Sequence, residues 1–584
     1  MDNTEVPTLI YDGHCGFCKI WIEYWKQLTG DRIEYAASQE VGGQYPQIPA
    51  KAYSESVQLV RADGSVGSGA RAVFETLGLE KAYERAPVLA WISEAMYRFI
   101  ARHRDLFYWV TRLTFGTKIE PTRFAATQWI FLRALAVIYA VAFGSLATQI
   151  TGLIGSRGIL PLHDFMEVVQ KTLGPARFFA MPTVFWWNSS DVALSSVCFA
   201  GIAFSILLFL GRLEKLMLVL LFVLYLSLSS AGQDFLSFQW DSLLLEAGFL
   251  AIFLGDAAIF PWLFRWLVFR LNFLSGSMKL LSHDPAWRNL TALDYHYHTQ
   301  PLPNVISWYA DELPRSFQHF ATAAVLGIEI AVPFLIFLPR RIRMAGATCM
   351  IGLQVLILLT GNYAFFNWLT IALCVFLFDD QALRRFAPRR VRDRAIRRLG
   401  PVARTFAGVL AGILFLLGAT RILEAYGSAP EPLMAAAKTF APFQIVNSYG
   451  LFAVMTTTRP EIIVEGSNDG ETWTPYEFRY KPGALDRGPR WIAPFQPRLD
   501  WQMWFAALGN YRQNLWFVGF VAKLLQGSPE VNGLLEKNPF PDRPPRYIRA
   551  MVFEYTFTGW GSKDWWKREP LGTYLPPVGM KAAQ

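Results

Sequence analysis

The sequence predicts a multi-domain membrane protein: a small soluble α/β domain, a polytopic all-α transmembrane bundle of about nine helices, and a mixed α+β extracytoplasmic domain. Three observations carry this prediction. Runs of about 16–23 residues with few charges recur between residues 128 and 420, near the roughly 20 that one bilayer crossing needs. Apolar residues make up 53% of the 584 and charged residues 17%, against about 25% in soluble domains. Strand and turn patterns are confined to the two ends. The predicted boundaries are 1–85 for the first domain, 86–127 for an amphipathic linker, 128–420 for the membrane domain and 421–584 for the last domain.

The first domain opens on Thr8-Leu9-Ile10-Tyr11, a short buried strand. Asp12-Gly13-His14-Cys15-Gly16-Phe17-Cys18 follows, and then the helical stretch Lys19–Trp25. A Cys-x-x-Cys between a strand and a helix reads as a redox motif. A thiol at a helix N-terminus faces unpaired amides and the positive end of the dipole, which favours thiolate. Cys15 is then the attacking nucleophile and Cys18, one turn on, resolves a mixed disulfide. Asp12 either relays a proton or bonds the amides of the turn. His14 either tunes the pair or is an exposed spacer. No second cysteine pair completes four ligands, so we expect no metal and no cofactor here. The Asp-Gly-x-Cys-x-x-Cys string, with Val57–Val60, Asp63-Gly64 and Gly69-Ala70 after it, resembles the DCC-type thiol-disulfide oxidoreductases over about residues 5–85. That resemblance implies a thioredoxin-like fold and a thiol-disulfide exchange partner. The cis-proline of ordinary thioredoxins has no clear equivalent.

Residues 84–115 are helical and aromatic and carry several arginines, which suits either a surface-lying amphipathic helix or a plain linker. Residues 1–20 lack the pattern of a signal peptide, so the first apolar span is the expected insertion signal. Candidate spans lie at 128–150, 192–211, 215–231, 241–258, 262–281, 318–338, 342–360, 363–378 and 404–420. The basic loops are Arg212–Lys215, Pro339–Arg343, and a third with Arg384, Arg385, Arg389, Arg390, Arg392, Arg394, Arg397, Arg398 and Arg404. All three fall on one side if the count is nine, which puts the N-terminus in the cytoplasm and the C-terminus outside. The net charge of +9 is concentrated in these loops, so it reads as topology and not nucleic-acid binding. Arg265 and Arg270 make the fifth span the least regular; they snorkel, line a cavity or mark a re-entrant segment. Cys198, Cys349 and Cys374 lie singly in apolar runs, as small buried hydrophobes do.

Polar residues at membrane depth are costly and mark either function or packing. One cluster holds Gln239, Trp240, Asp241 and Glu246; a second holds Lys279, Asp284 and Trp287; a third holds Asp294, Tyr295, His296, Tyr297 and Gln300. Asp241, Glu246 and Lys279 suit pairing within the bundle, and the histidine spacing matches no tight zinc motif. Beyond the bundle, Glu461–Gly466 and Thr472–Phe478 flank a Ser-Asn-Asp-Gly turn as a hairpin does, Ala550–Phe557 alternates like a strand, and 499–536 is helical. Asp500, Trp501, Gln502, Trp504 and Phe505 lie on that helix, where the aromatics are either core or a surface for a client or lipid.

Four long strings give the chain a second resemblance: SFQWDSLLLEAGFLAIF at 237–253, LTALDYHYHTQPLPN at 290–304, APFQIVNSYGLF at 441–452 and RLDWQMWFAAL at 498–508. Over roughly residues 125–570 the chain is similar to the lipase maturation factor family. The resemblance implies a membrane-bound folding factor for exported proteins, lipases among its clients, working in the endoplasmic reticulum in animals. The fused CxxC domain and the lack of extracytoplasmic cysteines suggest a bacterial inner-membrane version. Two alternatives stand beside it. One is a membrane redox enzyme acting through Cys15 and Cys18. The other is an enzyme distantly like vitamin K-dependent carboxylase, in which a lysine comparable to Lys279 after Gly276 is catalytic; fold alone does not carry that chemistry across.

Overall fold

The computed structural model describes residues 6–255, 257–392 and 399–580. Arg394, Arg397 and Arg398 of the third basic loop lie outside the described residues. The chain divides into two compact units, the first made of Met1–Arg123 with Phe337–Ala345 and Asp379–Ala382, the second of the remainder.

The first unit is built on β1 (Thr8–Tyr11), α1 (Gly16–Thr29), β2 (Glu34–Ala37), β3 (Gln58–Val60), β4 (Val66–Ser68) and α2 (Gly69–Thr76). The sheet runs β2-β1-β3-β4, with β1 and β2 parallel and the other pairs antiparallel. Leu9, Ile22, Val57, Leu59 and Ala72 form one core layer, and Ile10, Ile48, Tyr53 and Val60 another. Alternation along β1 sends Leu9 and Ile10 to opposite faces, so both faces are covered. Two further helices, α3 (Pro87–Arg102) and α4 (Arg104–Thr114), belong to this unit. The Val57 amide donates to Tyr97 Oη of α3 at 2.9 Å, and Phe115 meets Trp21 of α1 edge-on. Their other faces stay open: Trp91 is 70% and Trp109 61% exposed.

The second unit holds the helices α5 (Ala125–Ala147), α6 (Asp191–Phe209), α7 (Glu214–Ala231), α8 (Gln239–Ile252), α9 (Ile259–Leu281), α10 (Leu293–Thr299), α11 (Arg315–Ile330), α12 (Arg340–Thr360, partly in the first unit), α13 (Phe366–Cys374) and α14 (Pro401–Ala425), all but the short polar α10 rich in apolar residues. Six of these are long and apolar enough to cross a membrane: α5, α6, α7, α11 continued to Phe337, α12 and α14. A bent pair, Phe366–Leu377 with Asp380–Phe386 at 114°, makes up to seven. The expected count of nine is therefore not met by length and composition among the described residues. The expected span 241–258 closes early, because α8 has 14 residues and a helix that short reaches only about 21 Å of a roughly 30 Å core. The expected span 262–281 is α9, long enough but with Arg265, Arg270 and Lys279 on it, all buried within the protein. Small residues let the helices close: a Cβ at Gly201 of α6 would strike the Phe143 ring of α5.

The last region carries β5 (Pro460–Ser467), β6 (Thr474–Pro475), α15 (Arg498–Ala507), α16 (Leu515–Leu525), β7 (Tyr547–Phe557) and β8 (Trp566–Gly579). The antiparallel sheet runs β6-β5-β7-β8. The turn after β5 forms because Gly470 takes φ +81° and the Asp469 carboxylate collects the amides of Glu471 and Thr472, each at 2.8 Å. The second predicted hairpin strand shrinks to Thr474–Pro475. β8, which the sequence reading lacks, contains Pro570, Pro576 and Pro577, tolerated because it is an edge strand.

Candidate functional site

Two polar centres emerge, one in each unit. In the first, Cys15 is the N-cap of α1 and Cys18 lies in its first turn. The two are joined as a disulfide, and Cys15 Sγ accepts from the Cys18 amide at 3.2 Å. The helix start thus directs an amide at the Cys15 sulfur, which favours its thiolate once the bond is reduced. Asp12 holds the turn. Its carbonyl takes the Cys15 amide at 3.2 Å, and its Oδ1 takes the His14 amide and Gln39 Nε2 at 3.0 Å each. Partial burial raises the Asp12 pKa, but the His14 amide, the Gln39 amide and the Arg104 guanidinium at 3.8 Å outweigh it and hold the carboxyl below its usual range. The turn-bonding role of Asp12 is therefore the one with geometry behind it. His14 is exposed.

A cavity of about 330 Å³ opens beside Cys18, walled by Phe17, Trp21, Ile22, Val57, Met96, Tyr97 and Arg104 among others. Tyr97 and Arg104 come from α3 and α4, which the sequence reading assigns to a linker. Only the aromatic, arginine-dotted pattern of 84–115 hinted at them.

In the second unit the three polar clusters and α15 converge on one seam between the membrane helices and the C-terminal region. Asp241 and Arg498 form a bidentate pair at 2.8 and 2.9 Å; Tyr225 donates its hydroxyl to the same carboxylate, and Arg498 also reaches Phe235 O at 2.6 Å. Glu246 pairs with Arg270 and accepts from Tyr449 Oη at 2.7 Å and the Asn447 amide at 2.9 Å. Arg270 also donates to Asn447 O at 3.0 Å, and Arg265 to Phe376 O at 2.8 Å. The fifth-span arginines thus face partners inside the fold. Gln239 Oε1 receives the Gly450 amide at 3.2 Å, and Trp240 stacks on Phe238 and meets Trp501 edge-on.

Lys279 pairs with Glu329 at 2.7 Å and lies 5.2 Å from the Trp287 ring centre. Asp284 caps the short helix Pro285–Arg288 through the Ala286 amide at 2.8 Å and also accepts the Met455 amide. Trp287 Nε1 donates to Phe452 O at 2.9 Å. Asp294 meets His319 at 3.1 Å, His296 meets Tyr363 Oη at 3.1 Å, and that hydroxyl donates to Gln300 Oε1 at 2.8 Å. Tyr295 and Tyr297 serve through backbone carbonyls that accept from Thr299 and Gln300. Asp500 receives the amides of Tyr480 and Lys481 at 2.8 and 2.9 Å. Gln502 reaches Asp234 O, and Trp504 Nε1 reaches Thr299 O at 2.9 Å.

Trp501 and Trp504 are buried and only Phe505 is open, so this aromatic stripe is core. Two anchors had no sequence signal. Arg459, fully buried, ion-pairs with Glu461 at 2.7 Å and donates to the carbonyls of His298 and Pro301 at 2.9 Å and of Gln300. Asn362 bonds Leu302 O at 3.0 Å and Arg490 O at 2.9 Å while taking the Ile492 amide at 2.8 Å. Among the described residues no three His, Cys, Asp or Glu side chains are placed to share a metal ion.

Comparison with known proteins fits this division. Residues 126–385 match the model of the lipase maturation factor transmembrane domain, 445–576 that of the lipase maturation factor C-terminal domain, and 9–110 that of the DCC1-like thiol-disulfide oxidoreductases. The chain is 36% identical to lipase maturation factor 1 of Bos taurus, over 82% of this chain and 92% of the relative. It is 35% identical to lipase maturation factor 2 of Gallus gallus, over 79% and 82%, and 34% identical to lipase maturation factor 1 of Homo sapiens, over 78% and 88%. No solved structure matches the chain.

Proposed function

Because the chain belongs to the lipase maturation factor family, we propose that it is a multi-pass membrane protein that brings exported proteins, lipases among them, to their folded form. The observation that carries this reading is the match across both the membrane and the C-terminal modules, whose shared strings meet in one buried seam. Co-expression with a secreted lipase in cells lacking their own maturation factor tests it. The specific activity of the lipase, per mass secreted, should rise several-fold; an unchanged value would sink the proposal. A redox enzyme acting through the whole chain is not favoured, since the oxidoreductase match covers only 9–110.

The orientation we propose puts the first domain in the cytoplasm and the C-terminal region outside, in the inner membrane of a bacterium. Counting α8, α9 and α13 as crossings gives nine. Contacts at the helix ends support that count. Gln149 after α5, Thr299, Gln300 and Asn362 all bond the C-terminal region, whereas Arg133 in the first half of α5 pairs with Glu214 at the start of α7. The basic loop Pro339–Arg343 belongs to the first unit, where Arg341 donates to Arg112 O at 3.1 Å, and basic loops stay cytoplasmic. Alkaline phosphatase should be active fused after Gln584 and inactive fused before Met1; equal activity would reverse the assignment.

In that arrangement the thiol centre acts apart from the lipase. A Cys18→Ser variant should hold a cytoplasmic partner as a mixed disulfide on Cys15. Cys15→Ser should leave lipase maturation intact.

A further inference from the structure

A second cavity, of about 570 Å³, lies in the other unit between α9, α11, α12 and α13. Its size falls within the roughly 300–1,000 Å³ of pockets that bury one small molecule. Its mouth is apolar and open: Phe320 of α11 is 70% and Leu356 of α12 61% exposed, and both helices are long enough to span a bilayer. Its inner wall is polar, with Lys279, Glu329, His296, Gln354 and Asn367.

We infer that this cavity binds a neutral single-chain lipid bearing a hydroxyl head, of the monoacylglycerol or long-chain alcohol class, entering sideways from the membrane. The mouth on two spanning helices selects an apolar tail. The inner wall selects the head. Lys279 and Glu329 already neutralise each other at 2.7 Å, so a charged headgroup would lie buried without a counter-charge of its own. Asn367 donates its Nδ2 to Gln354 Oε1 at 2.8 Å, but its Oδ1 is buried with no hydrogen-bond partner among the described residues. Such an orphan acceptor is rare in a folded protein. A ligand hydroxyl donating to Asn367 Oδ1 satisfies it. Fatty acids and diacyl phospholipids carry charge and fit this wall worse.

The full chain, purified into nanodiscs, is labelled with a photoactivatable monoacylglycerol, and the crosslinked peptides are mapped by mass spectrometry. Labelling should concentrate on α9, α11 and α12. Ala324→Trp, which fills the cavity from the mouth, should cut it at least tenfold, whereas Val409→Trp on the open face of α14 should leave it unchanged. Asn367→Leu should weaken competition by unlabelled monoacylglycerol five- to tenfold, with the variant still eluting as a single species. Unlabelled palmitate or phosphatidylglycerol should compete at least tenfold less well. Labelling spread evenly over α6 and α14, labelling insensitive to both cavity variants, or stronger competition by either charged lipid would overturn the inference.

Discussion

Arg498 and Asp241 offer the sharpest test of how the two halves of the second unit are held. The guanidinium makes two bonds to the carboxylate and one to Phe235 O, with side chains 1% and 0% exposed. Arg498→Met removes all three and leaves a buried carboxylate with only the Tyr225 hydroxyl. Breaking a buried pair from one side costs about 3–5 kcal/mol, because an uncompensated charge stays behind. At about 1.4 kcal/mol per decade that is roughly two to four decades in the local opening equilibrium. A chain of several units does not unfold in one step, so local hydrogen exchange is a better measure than a melting midpoint. Amides of α15 should exchange faster by that factor in Arg498→Met. The double variant Asp241→Leu/Arg498→Met, with no charge left to bury, should recover most of the loss. If α15 in the single variant exchanges as slowly as in the parent, or if the double variant loses the sum of both singles, the pair does not hold this seam.

Other consequences follow from the same geometry. Arg459→Met leaves Glu461 with one of its two cations, Lys481, and frees three carbonyls of the 298–301 segment; a loss of about 2–4 kcal/mol is expected, read as faster exchange in both β5 and 298–301. Burial, with Lys279 and His298 adding to it, drives the His296 pKa down to about 4. Its folded value lies below its unfolded one, so stability is complete above about pH 6.5 and falls toward pH 4, by on the order of 3 kcal/mol. His296→Phe should flatten that slope in the local opening of the 293–299 segment, followed by amide exchange from pH 7 to 4, and an unchanged slope would assign the titration elsewhere. Asp12 is held below the usual carboxylate range, so its contribution is complete above about pH 4 and is lost as pH falls through the folded value. Asp12→Asn should remove that acid sensitivity from the 12–18 turn, measured by exchange of the His14 amide.

Much was legible in local sequence. The CxxC turn and α1, the strands β1, β3, β5 and β7, and the Asn-Asp-Gly hairpin each announce themselves within a dozen residues, because caps, turn chemistry and alternation are local. The long strings at 237–253, 290–304, 441–452 and 498–508 marked the family. What they do was harder to read. In the sequence Trp501 and Trp504 suit a core more than a client surface, and their burial, with Trp501 edge-on to Trp240 and Trp504 bonded to Thr299, makes them core. β8 escaped notice because three prolines argue against a strand, and only its edge position excuses them.

By itself the sequence determined the membrane class, the redox turn and the family, since these rest on apolar run length, on a cap at a helix start and on strings of residues. The tertiary structure decided which charges meet. Asp241 and Arg498 lie 257 positions apart, and nothing local in either segment names the other. It also decided that the arginines of α9 turn inward, because a buried charge is stable only where folding brings a distant partner to it.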